Sequence, residues 1–443
     1  MPSPAPKHPF GWNGSVAFGR EGGGFAYVPN RALARLPPKF KLSTVVGHGD
    51  DIARTDGPVA GFSALTGSFD VVRVVAHLRS LGIQAQPDHV FFAHGDCCCS
   101  NHPADLLANP VRANPVRANP VRANPVRANP VRANPVRANP VRANPVRAND
   151  LGAKSSVRPT GRSEFLATGA SSIGPLVTIL DTGLAGKGAP GVTHLPKLLA
   201  AKLSTKPASI RGVLDVPDFQ GDGWLDVVAG HGTFIAGLIE LHAPGCVLEV
   251  RRVIQPEGQG DESMIASTIA GLAARKPSLR PAFLNLSFGG DIWDNAPVLL
   301  EAVLAAQAAG IVVVASAGND GTCRPTYPAA FPGVVSVGGI GPDGPSWFSN
   351  YGDWVRACAP AQDIESAFFT QWDGRNPAID GADRDEFTGT AVWSGTSFAT
   401  PLVIAALVRE VRRSGCSGAE AVRQVIDAPH LGRLPGLGTV VNL

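Results

Sequence analysis

The chain contains the run Leu176-Val177-Thr178-Ile179-Leu180-Asp181-Thr182-Gly183, in which a strand-like apolar segment ends at an acid and a glycine turn. Beyond it, short apolar segments alternate with segments of helical period. Strands are predicted at 176–180, 247–250, 283–286 and 311–315, and helices at 234–239, 264–274, 299–309 and 398–411. This alternation is typical of an α/β protein whose parallel sheet is covered on both faces. Functional sites of such sheets lie beyond the carboxyl ends of the strands, which is where Asp181 stands.

Three other motifs follow, and each of them, like an acid at a strand end, has an ordinary structural interpretation when taken alone. Gly230-His231-Gly232 opens a predicted helix, where a lone histidine is most often a surface or capping residue. Gly318-Asn319 follows a strand and could be a simple turn. Ser394-Gly395-Thr396-Ser397 leads into the last apolar helix, where Ser397 could be an N-cap. The hydroxyl and N–H of Ser397 at a helix N-terminus would also suit a developing negative charge.

In this order and in these contexts, Asp181, His231, Asn319 and Ser397 resemble the subtilases, the subtilisin-like serine proteases. The resemblance covers about residues 171–412. It implies a subtilisin-like, mainly parallel sheet with helices on both faces. It further implies that Ser397 is the nucleophile, that His231 is its base and that Asp181 orients the histidine. The Asn319 amide and the Ser397 N–H would bind the oxyanion of the tetrahedral intermediate.

The resemblance also implies where a peptide or protein substrate lies. Substrate would extend along Ser287-Phe288-Gly289-Gly290 as an added β-strand. Ala315-Ser316-Ala317-Gly318 would form one wall of the primary specificity pocket, with Thr326 near its base, which suits small or medium side chains. The chemistry requires no cofactor, and structural calcium is left open. The alternative function is that of a catalytically decayed subtilase that acts as a peptide-binding or scaffold protein.

The net charge of +3 combines two different parts of the chain. Residues 108–147 are eight unbroken copies of Ala-Asn-Pro-Val-Arg, with eight arginines and no acid. Without these arginines, 31 basic residues stand against 36 acidic ones, a net charge of −5. Because the basic balance belongs to one repeat tract, nucleic acid is not an expected partner of the globular part.

Cysteine usage and targeting signals bear on the compartment. The chain has seven cysteines, an odd number, and three of them are adjacent, which argues against a secreted disulfide framework. The first thirty residues hold no apolar run behind a basic start, and no segment of about 18 apolar residues occurs. These features predict a cytoplasmic protein with no membrane association.

Four segments are predicted, namely a flexible tail (1–22), a small α+β domain (23–96), a linker (97–170) that contains the repeats, and the catalytic domain (171–443). In the α+β domain, Val71, Val74, Val75 and Leu78 share one helix face, and extended pieces are predicted at 83–86 and 90–93. This pattern resembles the end of a subtilase propeptide, with an unrelated small domain as the alternative. Such propeptides assist folding and inhibit the site with their C-terminal tail, so the chain's own N-terminal domain is predicted to be an intramolecular inhibitor.

The linker leaves several interpretations open. Its repeats could form turns, an extended rod or, with only one strongly apolar residue in five, a stacked solenoid. They could act as a spacer, as a substrate for self-cleavage after arginine, or as a basic adhesive strip. Candidate soft metal ligands precede them at His94, Cys97, Cys99 and His102. Exposed thiols are the favoured alternative, because adjacent cysteines do not converge easily on one tetrahedral ion.

Overall fold

The computed structural model describes residues 15–20, 24–47, 49–93, 112–113, 174–185, 210–212, 214–219, 225–294, 296–369, 372–375, 384–387 and 389–443. Most of the predicted linker, the cysteine cluster and the first fourteen residues lie outside these ranges. The predictions made for them, including the candidate metal ligands, therefore fall outside the described residues. The division of the chain into four segments stays a prediction.

The described part of residues 15–93, called the N-terminal unit below, is an antiparallel sheet with one helix. Its elements are β1 (Ala17–Gly19), β2 (Phe25–Ala34), β3 (Asp51–Asp56), β4 (Ser63–Ser68), helix α1 (Val71–Ser80), β5 (Ala85–Phe92) and a 3₁₀ turn at Leu42–Thr44. Helix α1 begins after Asp70, whose side chain accepts a hydrogen bond from the Arg73 N–H. The four apolar residues predicted to share one face of α1 are all buried, which confirms that prediction.

A ten-stranded, mainly parallel sheet lies at the centre of the rest of the chain. The strands after β5 are β6 (Arg112–Ala113), β7 (Leu176–Asp181), β8 (Leu184–Ala185), β9 (Ile210–Gly212), β10 (Leu214–Asp215), β11 (Val247–Arg252), β12 (Gln259–Asp261), β13 (Phe283–Leu286), β14 (Val312–Ser316), β15 (Val335–Gly341), β16 (Gly344–Pro345), β17 (Ala357–Pro360), β18 (Ile364–Ala367), β19 (Trp372–Arg375), β20 (Arg384–Phe387), β21 (Thr390–Trp393), β22 (Arg433–Leu434) and β23 (Gly438–Val440). The order in the central sheet is β22-β23-β17-β15-β14-β13-β7-β11-β9, with β16 beside β15. All neighbours from β23 to β9 are parallel, and β22 and β16 are antiparallel to theirs.

Helices pack on this sheet in two pairs. They are α2 (His231–His242), α3 (Glu262–Ala273), α4 (Pro297–Ala308), α5 (Thr396–Ser414) and the short α6 (Gly418–Val422), with a 3₁₀ turn at Pro277–Leu279 and a π turn at Arg423–Asp427. Helix α2 contacts α5, and α3 contacts α4. Strand β14 contacts one member of each pair, α5 and α4, so the sheet is covered on both faces. The predicted α/β architecture of this part is confirmed, and α5 begins two residues before its predicted start, which places Ser397 inside its first turn.

The N-terminal sheet continues into the body of the molecule, which the sequence did not predict. Its strand order is β12-β5-β2-β4-β3, with β1 beside β2, so β5 pairs with β2 on one side and antiparallel with β12 on the other. The two extended pieces predicted around residues 83–93 are wrong in detail, because one strand, β5, runs from Ala85 to Phe92. The two polar residues between those pieces, Asp88 and His89, are part of the strand, where both are buried and hydrogen-bonded to Ser263 and Glu262 at the start of α3.

Three smaller sheets complete the described structure. They pair β10 with β8, β19 with β20, and β21 with β18 and β6. Strand β6 is the described piece of the repeat tract, and its Arg112 and Ala113 pair antiparallel with Val392 and Ala391. Among the helices of the described ranges, none combines the length and the apolar character that a bilayer crossing needs.

Candidate active site

An aspartate and a histidine meet at the carboxyl edge of the central sheet. Asp181 is the last residue of β7, and His231 is the first residue of α2. The Nδ1 atom of His231 lies 2.8 Å from Oδ1 and 3.0 Å from Oδ2 of Asp181, and both side chains are almost fully buried. A carboxylate can only accept hydrogen bonds, so these contacts place a proton on Nδ1 of His231. Its other ring nitrogen, Nε2, is then the basic one.

Two glycines allow this close approach. Gly230 has a φ of +81°, and a Cβ atom there would lie 2.2 Å from the Phe368 ring. A Cβ atom at Gly232 would lie 2.3 Å from the Gly183 carbonyl oxygen, so the start of α2 packs backbone to backbone against the turn after Asp181. The close packing of the backbone therefore explains why glycines flank His231, whatever the role of the histidine itself.

Ser397 and Asn319 lie in the same corner. Ser397 is in the first turn of α5, and the neighbouring Phe398 ring lies 5.3 Å from the His231 ring, centroid to centroid. Asn319 follows β14, and its Oδ1 accepts hydrogen bonds from the Thr396 N–H and hydroxyl, both at 2.9 Å. With Oδ1 fixed in this way, the amide nitrogen of Asn319 is the atom that remains to donate.

The end of the N-terminal unit occupies the cleft beside Ser397. Phe92 and Gly289 exchange two backbone hydrogen bonds of 2.8 and 2.9 Å, and the Ala93 N–H donates to the Gly258 carbonyl at 3.0 Å. The Ser397 hydroxyl lies 3.3 Å from the Ala93 carbonyl oxygen and 3.2 Å from that of Ser287. Within the described residues, the Ser397 hydroxyl is thus hydrogen-bonded to carbonyl oxygens and not to the imidazole.

Many of the residues predicted to bind substrate line a cavity beside Ser397. It is lined by Phe92, Ala93, Phe288, Gly289, Gly290, Ser316, Gly318, Asn319, Asp320, Thr326 and Ser397. Ala315 and Ala317 were predicted to form the same wall, but they are fully buried and do not line the cavity. Ser287 donates from its hydroxyl to the Ser397 carbonyl oxygen at 2.9 Å, so this side chain supports the start of α5.

Comparison with known proteins agrees with this arrangement. The sequence profile described as the Subtilase family matches residues 172–428, which is more than half of the chain. The chain belongs to the subtilase family. Two of the relatives that resemble this chain are named serine proteinases.

The similarity to individual subtilases is partial. The chain is 36% identical over 184 residues to the extracellular serine proteinase of Thermus sp. (strain Rt41A), and the match covers 40% of each chain. It is 30% identical over 223 residues to thermitase of Thermoactinomyces vulgaris, which covers 47% of this chain and 70% of that one. It is also similar, at a TM-score of 0.44 and 24% identity, to a cold-adapted subtilisin-like serine proteinase of known structure, over 62% of this chain and 90% of the other. The chain therefore spans well under two thirds of the Thermus protein.

Two features of this subtilase site escaped the sequence analysis. One is strand β12, which forms the second side of the cleft, opposite Gly289. The sequence feature that could have pointed to this strand is the pair of glycines at 258 and 260. Asp215 is the other feature, and no local motif marks it. It is fully buried and accepts hydrogen bonds from the Thr182 hydroxyl at 2.7 Å and the Gly230 N–H at 2.8 Å.

Titration of Asp215 should make the stability of this subtilase depend on pH. Burial raises the pKa of Asp215 from 3.8 to about 6, despite the hydrogen bond from Thr182 and the charge of Arg252, which lower it. The folded chain therefore binds the Asp215 carboxyl proton more tightly than the unfolded chain does. The stabilisation that this proton gives is present below about pH 4 and is lost as the pH rises through about 6. In a Ser397→Ala background, which prevents self-digestion, we expect the free energy of unfolding to fall by up to about 3 kcal/mol over this window. Urea unfolding of that variant and of its Asp215→Asn derivative measures the difference, and an identical pH dependence in both would contradict the prediction.

Proposed function

We propose that this chain is a serine endopeptidase that uses Ser397 as nucleophile, His231 as general base and acid, and Asp181 to orient the histidine. The observation that carries the proposal is the buried contact of 2.8 Å between His231 Nδ1 and Asp181 Oδ1, at the sheet edge where Ser397 opens α5. This contact leaves Nε2 of His231 free to take a proton in the same corner as the Ser397 hydroxyl.

The reaction follows from these positions. Ser397 Oγ attacks the carbonyl carbon of a peptide bond while its proton passes to His231 Nε2. The tetrahedral oxyanion accepts hydrogen bonds from the Asn319 amide and the Ser397 N–H. Collapse expels the amine, which takes the proton from His231 and leaves an acyl group on Ser397. A water molecule then repeats the sequence and releases the acid. Every step uses side chains and water, so we propose that the chemistry needs no cofactor.

The substrate is a peptide in extended conformation. The backbone bonds that Phe92 and Ala93 make to Gly289 and Gly258 support this, because any extended peptide could make them in the same way. The cavity beside Ser397 has the Thr326 side chain on one wall and Gly318 on another. A Cβ atom at Gly289 would lie 2.6 Å from the Thr326 methyl group, and this close approach favours small or medium side chains in the cavity.

The N-terminal unit is proposed to inhibit this site from within the chain. Its last strand lies where the substrate would lie, and the Ala93 carbonyl oxygen is in hydrogen-bond range of the Ser397 hydroxyl. Self-processing would therefore cut at, or one residue beyond, Ala93. Cleavage after the arginines of the repeats is a second possible route, and it would produce fragments that step by five residues.

The test is the comparison of the full-length protein with its Ser397→Ala variant. The wild type should hydrolyse members of a panel of fluorogenic peptides, and intact-mass analysis should find a fragment that ends at residue 93 or 94. The variant should do neither. Equal absence of turnover in both proteins would instead favour the decayed subtilase that only binds peptides.

The compartment remains our prediction of the cytoplasm. Cys323, Cys358 and Cys416 are free thiols, which agrees with a reducing environment. Burial raises the pKa of the Cys358 thiol to about 12, so that thiol is not reactive at neutral pH. The relative from Thermus is named an extracellular proteinase, so fractionation of the native source decides this point.

A further inference from the structure

A fully buried aspartate that takes no part in the proposed chemistry lies beside the catalytic pair. Asp215 ends β10, and its carboxylate accepts three hydrogen bonds. The Oδ2 atom accepts from the Thr182 hydroxyl at 2.7 Å and from the Gly230 N–H at 2.8 Å, and Oδ1 accepts from the Val216 N–H at 2.9 Å. Only an acceptor suits all three donors, and a carboxylate is the side chain that accepts on both atoms without donating.

One of these contacts leads to Asp181. Thr182 donates its N–H to Asp181 Oδ1 at 2.8 Å and its hydroxyl to Asp215, and its carbonyl accepts from Arg252 Nε at 2.9 Å. All the polar groups of Thr182 are therefore fixed. The Thr182 N–H fixes the orientation of the Asp181 carboxylate. That orientation therefore depends on the hydrogen bond by which Asp215 fixes Thr182.

The other contact leads to His231. Asp215 binds the N–H of Gly230, the residue before the histidine, and the Thr182 hydroxyl accepts from the N–H of Gly232, the residue after it, at 3.1 Å. The two backbone segments that carry the catalytic pair are thus joined through one carboxylate. Both glycines are packed too closely for a side chain, so these two segments approach each other and their neighbours more closely than other residues would allow.

We infer that Asp215 is a positioning residue of the active site, which holds Asp181 and His231 in register by joining the Thr182 turn to the start of α2. The inference rests on the proposed protease function and extends it to a residue that makes no contact with substrate. The charge of Arg252 lowers the pKa of Asp215, and the charge of Asp181 raises it. Removing its acceptor atoms should let the imidazole and its carboxylate drift apart, and displacements of about 1 Å in an active site can cost about 10²-fold in rate.

The first measurement is the effect of Asp215→Asn on peptide hydrolysis by the full-length protein. The amide replaces one acceptor by a donor, so at least one of the three N–H or O–H groups is left facing another donor. We expect kcat to fall by about 10- to 100-fold while KM changes by less than about three-fold, because the defect lies in the triad and not in the substrate cleft. A loss confined to KM, or wild-type kcat, would overturn the inference.

A second variant tests the route through Thr182. Thr182→Val keeps the shape of the side chain but removes the hydroxyl that links Asp215 to Gly232. It should lower kcat to a similar extent, and the double variant should be no worse than about the more impaired single variant, since both act on one connection. Losses that simply multiply would show two independent effects and would overturn the route.

Asp226→Asn is the matched control. Asp226 lies on the same connection before α2, and its carboxylate accepts from the Phe219 N–H at 2.7 Å. The kcat of Asp226→Asn should stay within about two-fold of the wild type. If Asp226→Asn lost as much kcat as Asp215→Asn, a general loosening of the connection before α2 would explain both losses and would overturn the inference. If the wild type itself has no turnover, the protease proposal fails first. An active wild type with an equally active Asp215→Asn variant rejects the positioning role alone.

Discussion

Replacing His231 with alanine should lower kcat by about 10⁶-fold, as much as replacing Ser397, and combining the two changes should cost no more than either alone. The Ser397 hydroxyl is a poor nucleophile until its proton is taken, and a base without a nucleophile is equally inactive. The non-additivity follows because the two side chains carry out one proton transfer. Single-turnover and steady-state hydrolysis of one fluorogenic peptide by the three variants measures it.

The environment of His231 makes this variant interpretable. The ring is 1% exposed and packs at 5.3 Å from both the Trp393 and Phe398 rings. Alanine would leave a small cavity among these rings, which could lower stability as well as activity. His231→Gln fills the space without supplying a base and is the control for packing. If either variant kept more than about a thousandth of the wild-type kcat, another group would be acting as the base.

The elements that carry the proposed catalytic residues could be predicted because their signals are local. Strand β7 is a largely apolar run that ends at Asp181, and His231 and Ser397 each stand at the start of a helix after small residues. In a parallel sheet these chain positions fall on one edge, so four short motifs were enough to bring the site together. The order of the motifs along the chain then pointed to the family that the sequence profile matches.

The supporting contacts could not be predicted, because their partners are distant in sequence and their own motifs are ordinary. Asp215 ends the two-residue strand β10 and accepts hydrogen bonds from residues 33 and 15 positions away along the chain. Asp88 and His89 lie between the two extended pieces that were predicted, and a buried polar side chain is costly unless it has a hydrogen-bond partner. Their partners, Ser263 and Glu262, lie 175 and 173 positions further on. A pairing of this kind is visible only once the fold has brought the two segments together.

Replacing Glu262 with glutamine should shorten, by about 30- to 1,000-fold, the time for which the N-terminal unit is proposed to block the active site. Glu262 is fully buried at the start of α3, and its Oε2 atom accepts from Gln86 Nε2 and from His89 Nδ1, both at 2.6 Å. Its Oε1 atom accepts from the Leu299 N–H at 2.9 Å, at the start of α4. All these partners donate to its carboxylate, which joins β5 to helices α3 and α4 of the protease body, defined as the described part of residues 174–443.

The hydrogen bonds of the neighbouring His89 fix which of its ring nitrogens donates. His89 Nε2 accepts from the Trp293 N–H at 3.1 Å, which assigns the remaining ring proton to Nδ1 and directs it at Glu262. A glutamine amide can satisfy the Leu299 N–H with its oxygen, but its NH₂ group then faces the donors of Gln86 and His89. Leaving such buried donors unsatisfied costs about 2–4 kcal/mol, and this cost falls on the contact between the N-terminal unit and the protease body.

The lag before the full-length protein reaches its final rate of peptide hydrolysis reports release of the N-terminal unit. Glu301→Gln is the matched control, because Glu301 also pairs across the same contact, with Arg35 at 2.6 Å, but both side chains are more than a third exposed. An exposed pair contributes about 0–1 kcal/mol, so the lag of the control should change by less than about five-fold. Equal lags for wild type and Glu262→Gln would show that the buried carboxylate does not govern release. A wild type with no lag would reject inhibition by the N-terminal unit itself, since β5 and the following Ala93 could not then be occupying the cleft in solution.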